Sequence, residues 1–148
     1  MRIESIERPD ETLREAVNVE LRHHNEQANP IWWEKSGNPE NDERALNLFA
    51  FAPDRVVLGG LFGTTRFSWL KITIMATKHD RRGEGIGRAL LIQAEAVAKE
   101  RGCKYAYVDT MEYQAPSFYS QAGYRLVGTL EDWDSHGHKK LFFVKDVT

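Results

Sequence analysis

The feature that most constrains the fold is a change in the spacing of apolar residues after residue 77. Trp69–Thr77 is rich in Leu, Ile and Thr, which favours a β-strand. From Ile86 to Ala98 apolar residues recur every three or four positions, and Gly102 follows at a typical stop position, which predicts a helix. A strand joined directly to a long helix indicates a fold in which a sheet and helices share a core.

The rest of the chain has the pattern of further strands and short helices. Arg2–Glu7 alternates weakly and is expected to form a first strand, after which Asp10 is expected to cap a helix. Residues 31–44 are expected to form a short helix and a loop, and Pro116–Ala122 a second short helix. Further strands are expected at Ala45–Ala52, Arg55–Phe62, Lys104–Met111, Tyr124–Leu130 and Lys140–Val147. The sequence thus predicts one mixed α/β domain over residues 1–148, since no linker or repeat divides it.

Composition excludes several classes of protein. The chain has 148 residues, of which 41% are hydrophobic and 28% charged, so disorder is excluded. A net charge of −2 argues against nucleic acid as a partner. No apolar stretch approaches the ~20 residues of a membrane span, and the N-terminus lacks the apolar core of a signal peptide. The single cysteine, Cys103, fits a reducing compartment, and we expect a cytoplasmic protein with no metal site.

The segment Arg81–Arg88 carries the chemical information. It holds three glycines in five residues between the predicted strand and the predicted helix, together with three arginines. Glycine lets a ligand approach the main chain, and the first N–H groups of a helix point outward at the positive end of its dipole. This combination predicts an anion site, most naturally for phosphate.

The two common nucleotide motifs do not fit this segment. The mononucleotide loop requires Gly-Lys before Ser or Thr, whereas Gly87 is followed by Arg88-Ala89. The dinucleotide pattern requires glycine at the first, third and sixth positions, and the sixth position is Arg88 or Leu90 in the two possible registers. A nucleotide-binding protein of either kind is therefore not expected.

The pattern that does fit is Arg82-Gly83-Glu84-Gly85-Ile86-Gly87. A second segment, Ala115-Pro116-Ser117-Phe118-Tyr119-Ser120-Gln121-Ala122-Gly123-Tyr124, follows at a suitable distance. With both segments, the chain resembles the GNAT superfamily of acyl-CoA-dependent N-acetyltransferases from Trp69 to about Tyr124. The resemblance implies a mostly antiparallel central sheet flanked by helices and splayed between the strands around 69–77 and 104–111.

The resemblance also implies which residues bind acetyl-CoA, the expected co-substrate. The exposed edge of the strand before the loop would pair with the pantetheine arm, and the loop amides would hold the pyrophosphate. Tyr119 matches the tyrosine that protonates the departing CoA thiolate, although a tyrosine on a short helix is also an ordinary core residue. The residues implied for co-substrate binding are Ile74, Met75, Ala76, Arg82, Gly83, Glu84, Gly85, Ile86, Gly87 and Arg88.

The chain departs from the superfamily pattern where the catalytic base is concerned. Many members carry an acid on the strand before the loop, but Trp69–Thr77 contains none. Asp109 and Glu112 are the nearest candidates by layout, and Glu112 also stands where the superfamily often has Asn. A capping or salt-bridging role would explain the presence of both acids equally well. Removal of the proton of the acceptor amine by water alone also stays open.

The expected function is transfer of an acetyl group from acetyl-CoA to a primary amine by direct attack in a ternary complex. The alternative is a non-catalytic acyl-CoA-binding sensor or interaction module. The acceptor, a small molecule or a peptide, is not specified by the sequence. His23, His24, Trp32 and Trp33 are candidates to line its site, although packing is the commoner role of such aromatic residues. A homodimer is left open by strand edges near the C-terminus.

Overall fold

The computed structural model describes residues 1–148. Contacts between residues divide the chain into two compact units, Met1–Asp42 and Glu43–Thr148. None of its helices combines the length and the apolar character that crossing a bilayer requires.

The first unit is helical. It contains α1 (Glu11–Ala28), α2 (Pro30–Ser36) and a 3₁₀ turn at Pro39–Asn41. The predicted cap is confirmed, because the side chain of Asp10 accepts a hydrogen bond of 2.9 Å from the amide of Leu13. This bond satisfies one of the amides that a helix start leaves without an internal partner.

The predicted first strand at Arg2–Glu7 is wrong, because these residues form no strand. Ile3 and Ile6 are the apolar residues of this segment, and both are exposed. Their spacing of three places them on opposite faces of an extended chain, so a strand there would have no apolar face to bury.

The second unit is built on a six-stranded sheet in the order β1-β2-β3-β4-β6-β5. All neighbouring pairs are antiparallel except β3 and β4, which are parallel. The predicted mixed α/β class and mostly antiparallel sheet are confirmed. The strands are β1 Arg44–Phe51, β2 Val57–Arg66, β3 Trp69–Thr77, β4 Tyr105–Met111, β5 Arg125–Leu130 and β6 Lys140–Asp146.

Two helices of this unit, α3 (Ile86–Glu100) and α4 (Ser117–Gln121), follow β3 and β4 in the chain. The apolar face of α3 is buried in one core with the sheet, and the helix packs mainly against β1, β2 and β3. Gly102 follows α3 with a φ of 87°, a left-handed conformation that favours glycine and ends the helix. The buried residues of α3 are Leu90, Leu91, Ala94 and Ala98.

The predicted splay between β3 and β4 is also confirmed. The two strands pair only from Trp69–Ile72 against Tyr105–Val108, and the rest of β3 has no partner on that side. An irregularity starts the divergence: Phe62 faces Ile74 and Gly63 faces Ile72, so no residue of β2 stands opposite Thr73 in the register. An added residue of this kind bends a strand locally.

At Gly59 the backbones of β2 and β3 approach each other closely. A Cβ at Gly59 would lie 2.9 Å from the carbonyl oxygen of Ala76, closer than a carbon can stand. Against β1, a register irregularity lies beside Gly59, where Ala50 faces Gly59 and Phe51 faces Val57, whereas the irregularity against β3 lies at Phe62/Gly63.

Candidate active site

A cavity of about 820 Å³ opens where β3 and β4 separate. It is lined by the free end of β3, the loop before α3, the end of β4 and the segment that leads into α4. This volume lies in the range of small-molecule sites, which is ~300–1,000 Å³. All lining residues belong to the second unit, between residues 72 and 119.

The loop before α3 has the geometry of an anion site. Gly85 precedes the helix with a φ of 82°, and no side chain caps the helix start. The amides of Ile86, Gly87 and Arg88 therefore have no partner inside the helix, and they lie at the positive end of its dipole. No protein atom lies within 4 Å of a Cβ built at Gly83 or Gly85, so the surface of the loop is open to a ligand.

Arginine side chains add positive charge to this end of the cavity. Arg81 pairs with Glu84 at 2.7 Å, which raises the pKa of Arg81 and lowers the pKa of Glu84. Arg82 and Arg88 also line the cavity, and neither forms an ion pair within the protein. Two arginines are thus available to a negatively charged ligand, whereas Glu84 points its charge at Arg81.

The free edge of β3 forms another wall of the cavity. Ile74, Met75 and Ala76 all line it, beyond the last pairing with β4 at Ile72. An unpaired strand edge presents backbone N–H and C=O groups, which can pair with an extended amide-containing ligand.

Tyr119 lies on α4 and reaches the cavity from the opposite side. Only 7% of the residue is exposed, and its ring packs against Phe118, Tyr124 and Phe143. Burial raises the pKa of Tyr119, and the negative charge of Asp109 raises it further. The phenol therefore stays protonated at neutral pH and is available as a proton donor.

Asp109 lines the same cavity and is held by two neighbours. The hydroxyl of Tyr107 donates a hydrogen bond of 2.9 Å to Oδ2, and the ammonium of Lys140 lies 3.0 Å from Oδ1. Burial and the bond to Asp109 raise the pKa of Tyr107 to about 12, so this donor keeps its proton at neutral pH. A carboxylate is thereby placed beside the cavity in a fixed orientation.

Glu112, the other candidate base, is not among the residues that line the cavity. Its carboxylate accepts a hydrogen bond of 2.9 Å from the amide of Lys139, and its own amide donates to the carbonyl of Lys139. Glu112 thus closes the end of the β4–β6 pair, which is the capping role that the sequence left open.

Several lining residues were not singled out by the sequence. Gln114 accepts a hydrogen bond from the amide of Met111 at 2.9 Å, which holds the turn beside the cavity. Phe118 packs against the first turn of α3, since a Cβ built at Gly87 would lie 3.5 Å from the Phe118 ring. The sequence motif around Tyr119 includes Phe118, so the position of Phe118 near the site could have been predicted. No sequence motif marks Gln114, because its role depends on the path of the turn after β4.

The remaining candidates lie in other surroundings. In the first unit, Nε2 of His23 lies 3.2 Å from Nε2 of the Gln27 side chain. Trp32 and Trp33 lie side by side with ring centroids 6.3 Å apart. Their place in the acceptor site stays a prediction, as it does for His24.

Comparison with known proteins assigns this architecture to a family. The model of the acetyltransferase (GNAT) domain matches residues 45–126, more than half of the chain. An acetyltransferase structure from Bacillus cereus superposes with a TM-score of 0.75 and 28% identity, over 97% of both chains.

Two curated relatives are 40% identical over shorter segments. Acetyltransferase Atu2258 of Agrobacterium fabrum matches over 62% of this chain and 66% of its own length. Blasticidin-S acetyltransferase of Streptomyces morookaense matches over 51% of this chain and 56% of its own length. The chain belongs to the GNAT acetyltransferase family.

Proposed function

We propose that this protein is an N-acetyltransferase that moves an acetyl group from acetyl-CoA to a primary amine. The observation that carries the proposal is the meeting of three features in one cavity: open helix amides, a free strand edge and a buried tyrosine. In a bound complex, each feature would contact a different part of the same co-substrate, namely the diphosphate, the pantetheine amides and the thiol.

The residues at the loop fit a diphosphate. The amides of Ile86, Gly87 and Arg88 supply unpartnered donors, and Arg82 and Arg88 supply charge without an internal partner. Phosphate groups bind well where helix amides and arginines converge. The absence of a Cβ at Gly83 and Gly85 leaves room for the phosphate oxygens.

Asp109 and Tyr119, which also line the cavity, support direct transfer. Asp109 would take a proton from the acceptor ammonium, and the free amine nitrogen would then attack the thioester carbon. Tyr119 would give its proton to the sulfur as the carbon–sulfur bond breaks, so that CoA leaves as a neutral thiol. The new amide nitrogen would lose its remaining excess proton, which would restore the Tyr119 phenol. Holding both substrates together converts the attack into a step within one complex, and sequential kinetics are expected.

The name of one curated relative supports a small molecule as the acceptor. One curated relative is named for its action on blasticidin S. We further propose that residues 1–148 act as one acetyltransferase domain, since a structure of similar length matches 97% of the chain. A cytoplasmic location stays a prediction.

The proposal is tested by calorimetric titration with acetyl-CoA, with CoA and ATP as comparison ligands. Gly85→Ala is the test variant and Gly102→Ala is its matched control. Both glycines have a left-handed φ, and both have open space where the Cβ would stand. The backbone strain, about 1–2 kcal/mol, is therefore the same for the two variants.

Only Gly85 lies at the proposed phosphate site. We expect acetyl-CoA to bind the wild type and Gly102→Ala alike, with affinity at least tenfold lower for Gly85→Ala. Equal affinities for the two variants would contradict the loop assignment. Tight binding of acetyl-CoA without turnover of any amine would instead favour the acyl-CoA-binding sensor or interaction module. A preference for ATP over acetyl-CoA would exclude both the acetyltransferase and the acyl-CoA-binding module.

A further inference from the structure

A second cluster lies on the face of the β4–β6 pair that carries Asp109. Asp109 stands directly opposite Phe142, and Met111 stands opposite Lys140. Side chains two positions apart on paired strands are diagonal neighbours on one face. Lys140 therefore reaches across to Asp109, and both side chains remain partly exposed, at 22% and 31%.

The ammonium of Lys140 is held by a carboxylate and by aromatic rings. Its Nζ lies 3.0 Å from Oδ1 of Asp109, 4.5 Å from the centroid of the Trp133 ring and 5.8 Å from that of Phe142. Aromatic faces attract a cation through their quadrupole, and such rings combined with an anionic group form ammonium-binding sites. The chain thus contains a built ammonium site that its own lysine fills.

Tyr107 completes the arrangement from the other side. Its hydroxyl donates to Oδ2 of Asp109, and its ring stacks near Phe142 with centroids 6.4 Å apart. The carboxylate is therefore fixed with one oxygen toward Tyr107 and the other toward the ammonium.

We propose that Asp109, Trp133 and Phe142 form the subsite for the ammonium group of the acceptor, and that Lys140 occupies this subsite until the acceptor displaces it. The inference rests on the proposed function, because Asp109 also lines the cavity assigned to acetyl-CoA. It specifies the acceptor class as an aliphatic primary amine that is cationic at neutral pH.

Displacement is physically reasonable because the ion pair is partly exposed. Pairs of this kind contribute little to stability, since water and salt compete for both charges. Trp133 is 52% exposed, so an incoming ligand can reach the same ring. Lys140 would then move to solvent at low cost.

The test uses n-butylamine, which is an ammonium ion at pH 7, and n-butanol as its neutral counterpart. Binding to the ¹⁵N-labelled protein is followed by the indole N–H resonance of Trp133, without acetyl-CoA. Lys140→Met removes the competing ammonium and retains a flexible apolar stem. Lys139→Met is the matched control, because it removes the same charge from the neighbouring residue, whose ammonium lies 3.3 Å from Glu131.

We expect Lys140→Met to bind n-butylamine about threefold to tenfold more tightly than the wild type does. Lys139→Met should match the wild type, and Asp109→Asn in the Lys140→Met background should remove the gain. Lys140→Gln provides a second variant if the Met variant folds poorly. In the wild type, the Lys140 side-chain resonances should shift at the same amine concentration as Trp133.

The proposal is overturned if Lys140→Met and Lys139→Met change the affinity equally, which would indicate a general charge effect. Binding of n-butanol equal to that of n-butylamine would also overturn it, as would an unchanged Lys140 resonance at saturation. Since acetyl-CoA is absent, this outcome is independent of the calorimetric test of the proposed function. Failure of either proposal is therefore recognised separately.

Discussion

Replacement of Tyr119 by Phe separates a proton donor from a packing residue. The substitution removes only the hydroxyl and leaves the ring contacts to Phe118, at 5.2 Å between centroids, and to Phe143, at 6.0 Å. The structure shows no hydrogen bond from this hydroxyl to another protein group. The free energy of unfolding should therefore change by no more than about 0.5 kcal/mol.

Turnover should respond far more strongly. Loss of a general acid typically costs ~10²–10⁴-fold in rate, which corresponds to about 2.7–5.5 kcal/mol of transition-state stabilisation. The pKa of Tyr119 is raised above the ordinary tyrosine value of 10, so the wild-type residue is protonated at any assay pH below that value. Initial rates at pH 8 with an accepted amine, read by thiol release, give kcat for both forms. Acetyl-CoA affinity should stay unchanged.

Tyr124→Phe is the matched control for this measurement. Tyr124 is as deeply buried, at 3% exposed, and its ring lies 5.8 Å from that of Tyr119, but it does not line the cavity. Its variant should keep the wild-type kcat. A Tyr119→Phe enzyme within about threefold of the wild type, or an equal loss in both variants, would refute the assignment of Tyr119 as the proton donor.

Three further predictions concern the acids and the tyrosines. Asp109→Asn should lower kcat by ~10²–10⁴-fold without weakening acetyl-CoA binding, and an unchanged rate would favour proton removal by water. Glu112→Ala should leave kcat unchanged but lower the free energy of unfolding by about 1–3 kcal/mol in urea melts, since its bond to the Lys139 amide is lost. Because folding raises the pKa of Tyr107 to about 12, the unfolded chain loses its proton first, and stability should fall as pH rises from about 10 to 12. Tyr107→Phe should flatten that decline in melts across this range, and an equally steep decline would contradict the linkage.

Local signals in the sequence account for much of the second unit. The strand at Trp69–Thr77 has the predicted bounds, and α3 begins at Ile86 as expected. These boundaries depend on neighbouring residues alone, namely the spacing of apolar side chains and the conformations that glycine permits. The strand prediction at Arg2–Glu7 was wrong because a weak local alternation does not form a strand without another strand to pair with.

The candidate site divides in a similar way. The loop around Gly85 could be recognised as an anion site from the sequence, since a helix start and its free amides are local features. Asp109 and Glu112 could not be told apart, because their surroundings come from a distant part of the chain. Only the pairing of β4 with β6 brings Lys140 to Asp109 and Lys139 to Glu112.

The sequence by itself determined the order of elements in the second unit, the family pattern and the position of the glycine loop. The tertiary structure decided the separation of β3 from β4, which starts at a register change near Thr73 and opens the cavity. It also decided which carboxylate borders that cavity and which ammonium pairs with that carboxylate. Such outcomes depend on long-range strand register, and a shift of one residue would turn Asp109 to the other face of the sheet.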